Sequence, residues 1–154
     1  LFDGEGVRNK KTDLVSNGIL KTWILNTSTA KKLNLKTTGH ASRSIGAPPG
    51  TGTNNLFMAN GINSYEDMIG STKSGFYATE LIGMGVNIVT GDYSMGASGM
   101  WIENGEIQFP VSEITIASNL KDMFLNLSAA NDLEFKSRSN APTIRIENMT
   151  LAGK

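Results

Sequence analysis

The chain has 154 residues, with 14 Lys or Arg balanced by 14 Asp or Glu, so its formal net charge is zero. That balance argues against a non-specific nucleic-acid binder, which needs excess cations to displace counterions. With no cysteine and a single histidine, His40, the chain cannot build a disulfide scaffold, a Cys-ligated zinc or iron–sulfur site, a thiol nucleophile or a two-histidine metal motif from its own residues.

Taken in chain order, the residues predict short strands, tight turns and a few short helices. Lys11 to Trp23 reads as a hairpin around Asn17-Gly18, because both positions of an Asn-Gly turn tolerate positive φ. Thr27 to Leu35 reads as one or two helical turns, with Ser28 and Thr29 as the candidate N-caps. Residues 37–53 are irregular, and Asn55 to Ala59 is a short apolar strand. Ser64 stands three residues before Asp67, a capping-box spacing that opens a short helix toward Gly75. Phe76 to Ile82 predicts a strand, and Gly83, Gly85 and Gly91 punctuate the apolar stretch Met84 to Thr90. Ala97 to Glu103 and Glu106 to Phe109 flank a second Asn-Gly turn at Asn104-Gly105, and Val111 to Ala117 reads as a separate strand. Asn119 to Ser128 places Leu120, Met123, Phe124 and Leu127 at helical spacing, with Ser118 or Asn119 as cap. Leu133 to Phe135, Thr143 to Ile146 and Met149 to Ala152 are further short strands. The expected fold is one α+β domain over residues 1–154, mostly antiparallel β, barrel-like or sandwiched, with a few short helices. Leu1 is not Met and no basic-then-apolar leader follows it, so the chain is expected to begin partway through a longer protein. No run of apolar residues is long enough to span a membrane as a helix.

The residues offer no self-sufficient active site. His40 has Ser42 and Ser44 nearby but no orienting carboxylate at a known spacing, so it reads as structural. Asp3-Gly4-Glu5-Gly6 pairs two carboxylates without the further oxygens of a calcium loop. Glu103 and Glu106 flank a hairpin turn and read as solvated ends. Gly83-Met84-Gly85 does not continue into a dinucleotide fingerprint, because position 88 is Ile88. Gly91, Asp92, Tyr93 and Ser94 form a glycine-flanked turn. Its alternatives are a ligand- or partner-facing loop and a tight turn whose Asp92 caps its own backbone.

Several segments together resemble the TldD/PmbA family, once described as modulators of DNA gyrase. They are Leu1 to Gly6, Gly83 to Asn87, Val89 to Ser94 and Gly99 to Ile107, continued by Pro110-Val111, Thr115 to Ala117, Asn131 to Phe135 and Ala141 to Ile146. Their order and spacing match along nearly the whole chain. The resemblance is to the C-terminal domain of the PmbA (TldE) branch, and implies that the N-terminal part lies outside this sequence. It also implies a cytoplasmic protein that pairs with a TldD-type subunit, as a heterodimer, in a zinc-dependent peptidase acting on peptides and in peptide maturation; a homodimer is the alternative assembly. In the TldD branch the histidines come from a His-Glu-x-x-x-His motif before this domain and a Cys ligand from the C-terminal region. The matching loop here, Glu134 to Ala141, carries Lys136 and Arg138 and no Cys. Cations repel a metal ion and cannot replace a thiolate. No catalytic and no metal-ligating residue is therefore expected in this chain, with zinc residing in the partner. Gly91, Asp92, Tyr93 and Ser94 are the candidates for a substrate- or partner-facing element. Two other functions remain open: an intrinsic metallopeptidase with ligands in the N-terminal region, and a protein-binding regulator linked to DNA gyrase.

Overall fold

The computed structural model describes residues 2–153; Leu1, which opens the first resembling segment, lies outside them. Mostly antiparallel strands with three short helices make an α+β fold, and among the described residues the sheets stay open without closing a barrel. The chain divides into two compact units, one reaching to Leu56 with Ser137–Ser139 added, the other made of Phe57–Lys136 and the segment from Asn140 onward. Among the described residues no helix is long and apolar enough to cross a membrane.

The first unit holds β1 (Val15–Ser16), β2 (Ile19–Leu20), α1 (Thr27–Lys32), β3 (Ala41–Ser42) and β4 (Gly50–Thr51). β1 and β2 form the expected hairpin, with Asn17 at φ 51 and Gly18 at φ 72, the left-handed pair that matches strand twist. Helix α1 is capped one residue before it starts. Asn26, not Ser28 or Thr29, is the N-cap, because its backbone is extended while Thr29 sits at the third helical position. The Asn26 side chain accepts from Thr29 N at 2.8 Å and donates to Pro49 O at 2.7 Å, so one buried amide ties helix to loop.

The second unit is built on a four-stranded antiparallel sheet. β5 (Leu56–Phe57) and, further along the chain, β10 (Ser139–Asn140) straddle the division. The unit continues with α2 (Tyr65–Gly70), β6 (Ser74–Ile82), β7 (Asp92–Glu103), β8 (Glu106–Asn119), α3 (Leu120–Leu125), β9 (Leu127–Ala129), β11 (Ile144–Ile146) and β12 (Thr150–Ala152). The sheet order is β12-β8-β7-β6, and β9 pairs separately with β11. α2 has the expected capping box, Ser64 Oγ accepting from Asp67 N and Asp67 Oδ2 accepting from Ser64 N. Ala97, Ile114 and Ile116 form the sheet's buried centre, with Phe76, Tyr93, Met95, Val111 and Met149 packed on it.

Three expectations are corrected. Residues 106–109 and 111–117 are one strand, not two, because Pro110 faces Met100 where, among the described residues, no strand pairs with β8 on its other side. A proline lacks an N–H, and an unpaired edge asks for none. Helix α3 ends at Leu125 with no buried residue; Leu127 passes into β9, and Phe124 is 71% exposed. Leu133 to Phe135 forms no strand.

Candidate functional site

The expected turn at Gly91, Asp92, Tyr93 and Ser94 lies one step earlier: residues 87–91 turn, and Asp92, Tyr93 and Ser94 already belong to β7, paired with β8, with side chains of two asparagines assembling the approach. Asn87 folds the loop on itself: its Oδ1 accepts from Val89 N at 2.9 Å and Thr90 N at 3.2 Å, while its carbonyl accepts from Gly91 N at 2.7 Å. Asn119, the cap of α3, donates from Nδ2 to Thr90 O at 3.0 Å, and Leu120 N donates to Gly91 O at 2.7 Å. The other wall is backbone. Ser94 N donates to Gly85 O at 2.7 Å, and Val86 and Tyr93 form an antiparallel bridge. The approach is so close that a Cβ at Gly85 would lie 1.4 Å from Ser94 O, which only glycine permits.

Strand alternation sorts the four candidates. Asp92 and Ser94 are exposed, whereas Tyr93 is half-buried against the sheet's centre, where burial pushes its phenol pKa up. Asp92 is held locally, accepting at Oδ2 from Thr90 Oγ1 at 2.7 Å. The segment therefore presents a locally held carboxylate and an exposed hydroxyl. Beside it stand Met84, Ile88 and Val89, 98%, 87% and 90% exposed. The organising roles of Asn87 and Asn119 were not read from the sequence. The signal for Asn87 was its place two and three residues before the N–H groups it binds; Asn119 had none beyond its cap position.

The remaining candidates make local contacts or stand exposed. His40 Nδ1 lies 3.0 Å from Thr38 Oγ1 and is not joined to Ser42 or Ser44. Asp3 accepts from Glu5 N, Val7 N and Ala41 N, each at 2.9 Å, and Glu5 Oε2 accepts from Thr27 N at the start of α1. Desolvation raises the Asp3 pKa, but the N–H donors and nearby His40 outweigh it and hold the carboxyl below its ordinary value. Glu103 and Glu106 face each other as exposed hairpin ends.

The loop between Asn131 and Thr143 borders a shallow groove of about 410 Å³ lined by Asp132, Glu134, Lys136, Ala141, Pro142 and Thr143. Its acids are already engaged. Asp132 accepts from Thr143 Oγ1 at 2.7 Å and Thr143 N at 2.8 Å, bonds that lower its pKa, and Glu134 pairs with Lys136, raising that amine's pKa. Among the described residues no three His, Cys, Asp or Glu side chains gather as a metal site.

A family profile described as the PmbA/TldA metallopeptidase C-terminal domain matches residues 1–153. Metalloprotease PmbA of Escherichia coli O157:H7 is 46% identical over 99% of this chain, which spans 32% of that protein. A crystal structure of TldE from Thermococcus kodakarensis superposes with TM-score 0.87 at 28% identity, over 99% of this chain and 36% of that one. A crystal structure titled a putative modulator of a DNA gyrase, from Thermotoga maritima MSB8, superposes with TM-score 0.85 at 33% identity, covering 98% of this chain and 35% of the other. The chain thus spans about a third of the length of the relatives it matches.

Proposed function

The chain belongs to the PmbA/TldD family of metallopeptidase-like proteins, and from that premise we propose that it is the C-terminal domain of a TldE-type accessory subunit. Its partner is a TldD-type chain that holds the zinc, and the assembled pair cleaves peptides in the cytoplasm. The observation that carries this reading is the loop from Asn131 to Thr143. Zinc needs unprotonated, unoccupied donors, soft or borderline. Here Asp132 has both oxygens committed to Thr143, Glu134 is neutralised by Lys136, and Lys136 itself would repel the ion. These residues do not fit the metal, so no step of the chemistry is routed through them.

The domain's contribution is then surface and alignment. The segment from Gly91 to Ser94, at the start of β7, with exposed Asp92 and Ser94 beside Met84, Ile88 and Val89, is the element that faces peptide or partner. An extended peptide also finds an open sheet edge. β12 pairs only with Thr115 to Ala117 of β8, and among the described residues no other strand pairs with β8 on that side. Main-chain pairing of this kind grips a peptide without a catalytic side chain.

The test is zinc content and peptide cleavage by the full-length protein, alone and co-expressed with a TldD-type partner. Metal and cleavage only with the partner are expected, and Asp92→Ala with Tyr93→Ala should lower cleavage or assembly. Stoichiometric zinc with cleavage in the full-length protein alone would overturn the reading.

A further inference from the structure

Three Asn-Gly pairs stand in the chain, at Asn17-Gly18, Asn60-Gly61 and Asn104-Gly105. Such a pair can react with itself, because no side chain shields the glycine nitrogen. That nitrogen gives its proton to hydroxide and attacks the asparagine Cγ. The bond from Cγ to the side-chain nitrogen breaks, and that nitrogen takes a proton from water and leaves as ammonia. Water then opens the succinimide ring at either carbonyl, leaving aspartate or isoaspartate. Water is the only co-reactant, and nothing is oxidised or reduced.

All three asparagines are exposed, so their own access to solvent does not separate them. The nucleophile does. Gly61 N donates to Ala130 O at 2.8 Å, and Gly105 N donates to Thr72 O at 2.9 Å. A nitrogen whose proton is held by a carbonyl neither loses it nor turns toward Cγ until that bond opens. Both glycines are also packed against backbone. A Cβ at Gly61 would collide with Ala129 O, and one at Gly105 would lie 2.6 Å from Gly70 O. The Asn60 side chain is tied as well, its Oδ1 accepting from Leu133 N at 2.9 Å. Gly18 differs. Among the described residues its N–H meets no acceptor, and a Cβ there would find nothing within 4 Å.

Turn type does not explain the difference. Asn17 and Asn104 both have φ 51, followed by Gly18 at 72 and Gly105 at 82. The surroundings do. The β1–β2 hairpin is held by two residue pairs, Val15 with Leu20 and Ser16 with Ile19, whereas the Asn104 turn closes strands of twelve and fourteen residues. A ribbon of two pairs opens easily enough for its turn to reach ring-closing geometry; a long ladder inside a four-stranded sheet does not.

We propose that Asn17 is the deamidation site of the folded protein, and that the fold protects Asn60 and Asn104. The product places a carboxylate where a neutral amide stood. Isoaspartate also adds a methylene to the main chain inside a two-residue turn, which the Ser16–Ile19 pairing cannot absorb.

The experiment incubates the full-length protein at mildly alkaline pH, once in native buffer and once unfolded in urea. Tandem mass spectrometry reads, at each asparagine, the mass gained when NH₂ becomes OH. The unfolded rates correct for the different preceding residues, Ser16, Ala59 and Glu103. Relative to its unfolded rate, Asn17 should react in the native protein at least about tenfold faster than Asn60 or Asn104 does. Asn17→Gly, which positive φ favours, should remove most of the acidic variants that the native protein accumulates. Equal protection at the three sites would overturn the proposal, as would a native reaction led by Asn60 or Asn104. So would acidic variants that accumulate undiminished in Asn17→Gly.

Discussion

Gly85 shows how a single backbone atom fixes the candidate site. The Ser94 carbonyl occupies the space that any side chain at position 85 would need, with a Cβ only 1.4 Å away. Gly85→Ala must therefore push the Met84–Val89 loop off the start of β7, and its cost should be about 2–4 kcal/mol, in the range of severe overpacking. Chemical denaturation measures it; a loss below about 0.5 kcal/mol would show that the loop moves freely and that the close approach is unimportant. Asp92 shows the converse. Its carboxylate is exposed and accepts from the Thr90 side chain, whereas the backbone N–H groups of the turn are capped by Asn87 instead; the exposure of Asp92 leaves it open to a second contact.

At the scale of elements, β8 carries the strain of the sheet. Ala97 pairs with Ile114 and Gly99 with Val111, so β8 fits one extra residue into that interval, and Glu113 takes φ 57 there. A left-handed non-glycine residue costs on the order of 1 kcal/mol, against a similar entropic penalty for the flexible glycine. Glu113→Gly should thus be neutral or stabilising, by up to about 1 kcal/mol. A thermal melt checks it, and a clear drop in Tm would mean that the glutamate side chain has a role its exposed position does not show. What was legible in the sequence was local. The two Asn-Gly turns and the Ser64–Asp67 capping box are closed by residues within three positions of each other. What was not legible depended on neighbours far along the chain. Pro110 argues for a strand break until β12 is known to stop short of it, and Leu120, Met123 and Phe124 argue for a core helix that the fold leaves at the surface. The glycines marked a turn near residue 91, but it closes before Asp92, where β7 begins, and its clamp by Asn119 spans nearly thirty residues.

For the molecule as a whole, pH acts through carboxylates that serve as backbone acceptors. Asp3 and Asp132, one in each unit, are both held below the usual carboxylate pKa. A depressed folded pKa gives stability that is complete above the unfolded value, about 3.9, and is lost as pH falls through the folded value. The urea midpoint should therefore be flat near neutrality and decline below about pH 4. Asp3→Asn and Asp132→Asn should each flatten that decline, and Asp3→Asn should also lower the midpoint at neutral pH, since both Asp3 oxygens accept from N–H groups and an amide NH₂ must then face one, whereas Thr143 Oγ1 can turn to accept at position 132. A midpoint independent of pH down to about 3 would contradict these assignments.

The short reach of β12 has a cost in self-recognition. A strand of fourteen residues, of which among the described residues only three pair on one side, is a template on which another chain could polymerise, in the manner of edge-to-edge aggregation. Pro110, which cannot donate, and Glu113, whose backbone turns out of the pleat, interrupt that template at two points. They act as gatekeepers, keeping the exposed ladder too short for a runaway copy of itself while leaving stretches on which a brief peptide can still pair.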